Sequence, residues 1–229
     1  IDWENMTFSF RETDKMYISI CKKDDKWSKG VIQDFQNLNI SPAAGVLNYG
    51  QGLFEGMKAY RTVDGSVVLF RPQENAKRMQ KGARRLGMPE VPEEIFLDAV
   101  IQTVKENARW IPPIGKGTLY IRPLLMGSGP ILGVAPAPEY TFLVYVSPVG
   151  PYFKGGLEPT SLKISEEHHR AAPGGSGGVK AIGNYAPGMV PSKKAKEEGF
   201  AEIIYLDAIN NKYIEEVGAA NFFCIKDNI

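Results

Sequence analysis

Residues able to do chemistry gather in the stretch Gly177-Gly178-Val179-Lys180-Ala181-Ile182-Gly183-Asn184-Tyr185, one lysine with a phenol five positions later. Most lysines are solvated surface charges. Here Val179, Ala181 and Ile182 surround the amine with apolar groups, and Gly178 and Gly183 let backbone or a flat ligand come close. Apolar surroundings strip water from an ammonium and favour the neutral amine, which forms imines with carbonyls. A second stretch, Tyr213-Ile214-Glu215-Glu216-Val217-Gly218-Ala219-Ala220-Asn221, sets an acid against small apolar residues. Glu215 reads as an exposed turn acid, but Glu216 is oddly placed for one. A buried carboxylate facing a pyridinium nitrogen keeps that nitrogen protonated. An imine-forming lysine and such an acid are two of the parts that pyridoxal phosphate takes from a protein, the third being a phosphate cup.

Two rival chemistries fail on residue type. A nucleotide-binding P-loop needs Gly directly before the lysine and Ser or Thr directly after it, where this chain has Val179 and Ala181. Gly127-Ser128-Gly129-Pro130-Ile131-Leu132-Gly133 misses the dinucleotide fingerprint, its third glycine falling one place late with no helix pattern behind it. His168-His169 are adjacent rather than at metal-ligand spacing, so they read as surface residues or supports behind a site and no metal is expected. A net charge of +1 on 229 residues gives no electrostatic reason to expect nucleic acid or an anionic membrane as partner. No segment approaches the ~18 apolar residues of a membrane span. Cys21 and Cys224 lie in apolar runs and read as buried free thiols, in keeping with a reducing compartment. The chain opens at Ile1 without methionine or targeting peptide, as if a presequence were removed or lay outside it. It stops at Ile229 directly after a strand pattern, which reads as a cut.

The elements that must position these residues follow from periodicity. Met16–Cys21 alternates as a strand, and Lys58–Thr62 with Ser66–Phe70 forms a hairpin around Asp64-Gly65. Leu47–Tyr60, with glycines, aromatics and a single acid, reads as a packed turn near a site. Ala76, Met79, Ala83 and Leu86 fall at helical spacing after Arg71-Pro72. A second helix runs from about Pro92 to Trp110 on Phe96, Ala99, Val100 and Val104. Gly117–Met126 and Tyr140–Ser147 are strands, and Val149–Leu157 reads as a linker. The second half holds a glycine-rich loop at Pro173–Gly178, a helix from about Pro187 to Gly199, strand Ala201–Leu206, a turn at Asn210-Asn211-Lys212 and strand Phe222–Lys226. Strands and helices mixed in both halves indicate an α/β or α+β protein of two lobes. The first covers 1-150 and the second starts at 157, with 151-156 between them.

In this order YGQGLFEGMKAYR, LFRP before a basic helix, LYIRP, GSGPILGV, SPVGPYF, VKAIGNYA and YIEEVGAANFF resemble the branched-chain amino acid aminotransferases of the class IV (fold type IV) pyridoxal-phosphate enzymes, over nearly the whole chain. The resemblance implies amino transfer from leucine, isoleucine or valine to 2-oxoglutarate in a homodimer. It also implies a fold that continues well past residue 229, and relatives of this kind occupy cytoplasm, mitochondria and plastids. Lys180 would hold the cofactor as an imine and shuttle the substrate α-proton, and Glu216 would face the pyridine nitrogen. Arg71 would bind the phosphate, Tyr185 the ring's phenolic oxygen, and Val217, Gly218 and Ala219 would complete the cofactor contacts. Ala219 stands where many relatives carry a hydroxyl. Tyr49, Phe54, Tyr120, Arg122, Val134 and Tyr152 would line the substrate pocket, with ordinary core packing as the competing reading for Phe54 and Val134. D-amino acid aminotransferases and aminodeoxychorismate lyases share the lysine, acid and phosphate arginine, but LYIRP and GPILGV favour the branched-chain group. A truncated relative that binds without catalysis is the reading of another class.

Overall fold

The computed structural model describes residues 1–22, 25–151 and 158–227. The chain divides into two units, Ile1–Gly156 and Leu157–Ile229. The expected linker and Tyr152 fall, from residue 152 on, outside the described residues.

In the first unit seven strands form one sheet: β1 (Lys15–Lys22), β2 (Val31–Asp34), β3 (Gly52–Phe54), β4 (Met57–Arg61), β5 (Val67–Leu69), β6 (Thr118–Gly127) and β7 (Glu139–Val149). The order is β2-β1-β7-β6-β4-β5 with β3 also on β6, and every pairing is antiparallel. The β-branched and aromatic runs of β6 and β7 pair over their whole length, from Thr118↔Val149 to Gly127↔Tyr140. On β6, Leu119, Ile121 and Leu125 are wholly buried, while Tyr120, Arg122 and Leu124 on the alternate face are half-buried. A slip of one residue would drive the Arg122 cation into the core, so the register is firmly specified. Helices α1 (Gly45–Tyr49), α2 (Pro72–Arg85) and α3 (Glu93–Glu106) complete the unit. α3 buries Phe96, Ala99, Val100, Thr103 and Val104, and Phe96 stacks on Phe142 of β7 at 5.8 Å. Asn107, wholly buried, ties the end of α3 to β1. Its amide donates to the Lys15 carbonyl at 3.0 Å and its oxygen accepts from the Asp14 and Lys15 N–H groups at 3.0 and 3.1 Å.

The second unit is a three-stranded sheet, β8 (Leu162–Ser165), β9 (Glu202–Leu206) and β10 (Ile214–Val217), in the order β10-β9-β8. β8 and β9 are parallel, so the chain between them must cross over. That crossover carries the lysine turn, two 3-10 turns (Ile182–Asn184 and Ala186–Gly188) and helix α4 (Met189–Glu197). Ala195 of α4 packs with Ile203 and Tyr205 of β9, and Phe200 closes the cluster.

Most expected elements are present, and three expectations need correction. Phe222–Lys226 is not a strand: a run of apolar residues becomes one only against a partner edge, and no described residue pairs with it. Phe223 and Ile225 stand 84% and 81% exposed there, and Cys224 is exposed with them, while Cys21 is buried as expected. Leu47–Tyr60 is not one turn but the end of α1, all of β3 and most of β4.

Candidate functional site

In the second unit the lysine turn is tied from within. The Asn184 amide donates to the carbonyls of Ser176 at 2.8 Å and Val179 at 2.9 Å, and its oxygen accepts from the Ser176 hydroxyl at 2.6 Å. Those bonds fold the glycine loop back and present Lys180, whose Nζ donates to the Tyr185 hydroxyl at 3.0 Å. Lys180 and Tyr185 are both half-buried. The apolar socket expected around the amine is only partly there: Ala181 is buried, Val179 and Ile182 are half-buried, and Gly178 and Gly183 face open space. Small residues supply little surface with which to seal an amine.

Glu216 is the last residue but one of β10, just after a register shift between Ile214 and Glu216. Such an irregularity re-aims the side chain that follows it. Its carboxylate is 35% exposed rather than buried, and it pairs with Arg170 Nε at 3.1 Å. The expected buried acid is therefore a half-exposed one held by a buried cation, since the Arg170 side chain is only 9% exposed. The same guanidinium lies over the Tyr185 ring, 4.8 Å from its centroid. Arg170 NH1 is buried without a hydrogen-bond partner among the described residues. Val217 is buried, and Ala219 is exposed. Gly218 adopts φ +53, a position where a side chain would also collide with Glu202. A cavity of about 210 Å³ is lined by Arg170, Tyr185, Glu202, Tyr205, Gly218 and Ala219, among others. Burial, helped by the Glu202 charge, pushes the Tyr205 phenol up from its ordinary value.

In the first unit Arg71 caps α2 in the left-handed region at φ 47, an unusual conformation for a non-glycine residue. Pro72 starts the helix, no side chain caps its first turn, and the exposed Arg71 guanidinium reaches Glu74 at 4.0 Å. Arg122 lies over the rings of Phe54 at 4.5 Å and Tyr120 at 5.2 Å, and its NH2 donates to the Tyr120 hydroxyl at 3.0 Å. Its Nε is buried and unpartnered among the described residues. Phe54, Tyr120 and Arg122 thus come together. Gly56 lies beside them, where a side chain would displace the Tyr120 hydroxyl. Tyr49 and Val134 do not join them. Tyr49 is 40% exposed and donates to the Leu132 carbonyl, and Val134 is 88% exposed, which also removes its core-packing reading.

The residue between Phe54 and Gly56 is Glu55, wholly buried. It takes a bidentate pair from Arg78 of α2, at 2.7 and 2.6 Å, and a third bond from Asn75 at 2.8 Å. The reading from sequence missed Arg170 and the Glu55–Arg78 pair. Both carried a signal: Arg170 precedes Ala171-Ala172 and the glycine loop, and Glu55 is the single acid of an apolar stretch.

A family profile described as amino-transferase class IV matches residues 52–229. The chain belongs to the class IV aminotransferases. Among relatives of this family member, branched-chain amino acid aminotransferase 2, chloroplastic, of Humulus lupulus is 57% identical over 229 residues, covering 100% of this chain and 56% of the relative. Branched-chain-amino-acid aminotransferase 5, chloroplastic, of Arabidopsis thaliana is 56% identical over 229 residues, covering 100% and 55%. A methionine aminotransferase of Arabidopsis thaliana is 50% identical over 231 residues, covering 100% and 64%. The chain spans a little over half the length of the first two relatives. The fold is shared with the branched-chain amino acid aminotransferase of Escherichia coli, at a TM-score of 0.77 and 24% identity over 94% of this chain and 66% of that one. It is also shared with the T.th. branched-chain amino acid aminotransferase complexed with N-(5'-phosphopyridoxyl)-L-glutamate, at 0.72 and 24% over 94% and 65%. The mixed α/β architecture of this class IV aminotransferase is that of these fold type IV structures.

Proposed function

We propose that this chain carries the lysine-bearing part of a pyridoxal-phosphate-dependent aminotransferase that moves the amino group of leucine, isoleucine or valine to 2-oxoglutarate. The observation that carries the reading is the joining of Lys180, Tyr185, Arg170 and Glu216 into one connected cluster in a class IV aminotransferase. The branched-chain names of the relatives at 57% and 56% identity support branched-chain substrates. The relatives named above favour neither a D-amino acid aminotransferase nor an aminodeoxychorismate lyase, and they do not favour a non-catalytic relative. The first unit would be the small domain, 1-150, and residues 157-229 would open the larger cofactor-binding domain of a homodimer. The chloroplastic and mitochondrial names of relatives support an organelle as compartment.

The residues present fit the cofactor. A primary amine beside a phenol suits its carbonyl and phenolic oxygen, a carboxylate suits its ring nitrogen, and an orphaned buried guanidinium donor marks a place built for polar company. When bound, pyridoxal phosphate supplies a carbonyl for imine chemistry and an electron sink. The chain's own residues do the rest. Lys180 holds and moves the proton at the substrate α-carbon, and the Tyr185 hydroxyl fixes the amine's direction. Glu216 supplies negative charge for a protonated ring nitrogen. Val217, Gly218 and Ala219 offer backbone where side chains are small or absent. Arg71 offers a planar fork to phosphate oxygens, held out by its left-handed cap. Arg122, with the Tyr120 hydroxyl, gives the side-chain carboxylate of glutamate a donor beside the apolar Phe54 ring that suits a branched chain. Tyr49, Val134 and Tyr152 remain proposed further parts of that pocket.

The test is borohydride reduction of the full-length protein with pyridoxal phosphate, followed by peptide mapping. The label is expected on Lys180, and a label confined to other lysines would overturn the reading.

A further inference from the structure

Arg170 is a buried cation with less bonding than burial normally demands. Removing a guanidinium from water is costly unless its donors are paired. Here Nε takes Glu216, while NH1 is buried with no partner among the described residues. A pair that served stability alone would be expected to satisfy every donor. The same guanidinium lies over the Tyr185 ring, 4.8 Å from its centroid, so one rigid group meets the carboxylate and the phenol ring together. A lysine could supply the charge but neither the fork nor the stack. Glu216 also needs an external brace, because it stands beside a register shift and is 35% exposed.

Resting on the functional reading above, we propose that Arg170 is a positioning residue: its guanidinium locks the Glu216 carboxylate and the Tyr185 ring in a fixed relation, and through Tyr185 it fixes the direction of the Lys180 amine. Arg170 transfers no proton. It removes freedom from three groups that must meet one flat ligand at once, and small misplacements of such groups cost large factors in rate.

The experiment compares Arg170→Met and Arg170→Lys in the full-length protein, using pyridoxal phosphate and leucine. Arg170→Met is expected to slow the single-turnover leucine half-reaction by roughly 10- to 100-fold. Its pyridoxal phosphate affinity, read by fluorescence quenching, is expected to fall by a smaller factor, with the urea midpoint near that of the parent. Arg170→Lys is expected to regain most of the affinity but little of the rate. In the cofactor-free protein Arg170→Met is expected to change the near-ultraviolet tyrosine dichroism, and that change is expected to vanish in a Tyr185→Leu background. A half-reaction within twofold of the parent, full rescue of rate by lysine, or a dichroism change that persists without Tyr185 would overturn the proposal. A parent that takes up no pyridoxal phosphate would overturn the functional reading itself. A parent that binds it at Lys180, with an unperturbed Arg170→Met variant, would overturn the placement of Arg170 alone.

Discussion

The Glu55–Arg78 pair should break asymmetrically. Glu55 is wholly buried, whereas the Arg78 side chain is 54% exposed. Replacing Arg78 by Met strands a carboxylate that cannot reach water, with only Asn75 at 2.8 Å left to it among the bonds described above. Breaking a buried pair this way costs about 3–5 kcal/mol. Replacing Glu55 by Gln strands no charge, although its new NH2 faces only donors among the bonds described above. The amide oxygen still accepts from Asn75, and the arginine rehydrates where it stands, so the loss should be about 1–3 kcal/mol, that of a neutral buried donor left unsatisfied. Thermal denaturation followed by circular dichroism should therefore show Arg78→Met melting on the order of 6–20 °C below the parent, with Glu55→Gln between them. A Glu55→Gln variant less stable than Arg78→Met would show that the charge, not its abandonment, governs this site.

Lys180→Ala should still admit pyridoxal phosphate but no longer be labelled after borohydride reduction, as peptide mapping would show. Arg122→Met should slow single turnover with glutamate and 2-oxoglutarate far more than with leucine, since only the former carry a second carboxylate to leave unpaired; equal losses would make Arg122 a scaffold residue. Arg71→Gly should relieve left-handed strain, raising cofactor-free stability by about 1 kcal/mol, while weakening pyridoxal phosphate binding in the same titration. Asp207 accepts bonds from the N–H groups of Tyr213, Lys212 and Asn210, which hold its carboxyl well below the usual carboxylate range. Its contribution to the β9–β10 hairpin is thus fully present above the unfolded value, near pH 4, and fades only as pH falls toward the lower folded value. Urea midpoints of Asp207→Ala and parent should differ at pH 7 and converge in strong acid.

Much of the fold was legible because its signals are local. The alternation of β6, the Asp64-Gly65 turn and the helical spacing of Ala76, Met79 and Ala83 in α2 are each written within one window of sequence. What was not legible depends on partners. Phe222–Lys226 has the composition of a strand and no edge to join among the described residues, while Ile214–Val217, with two adjacent glutamates, pairs with β9 because the Asp207 turn brings it there. The lysine with a tyrosine five residues on stood within one window of sequence, while the tyrosine's role came from the family resemblance. The company of Glu216 lay outside any such window: Arg170 lies 46 positions earlier, and only the crossover between β8 and β9 brings the two together.

The pairing of β1 with β7 also sets a timetable. Tyr17 lies opposite Val144, and between them the ribosome must make β2 through β6 and both long helices. At roughly 5–20 residues per second, β1 waits on the order of ten seconds for its main neighbour. Until then β2 is the only strand beside it, through four residue pairs, and Met16, Tyr17 and Cys21, later buried, face water. Loop closure over such a span contributes nothing until the last strand arrives. The first unit therefore closes late and nearly at once, and a newly made chain is most exposed to aggregation and chaperone capture just before residue 149 emerges.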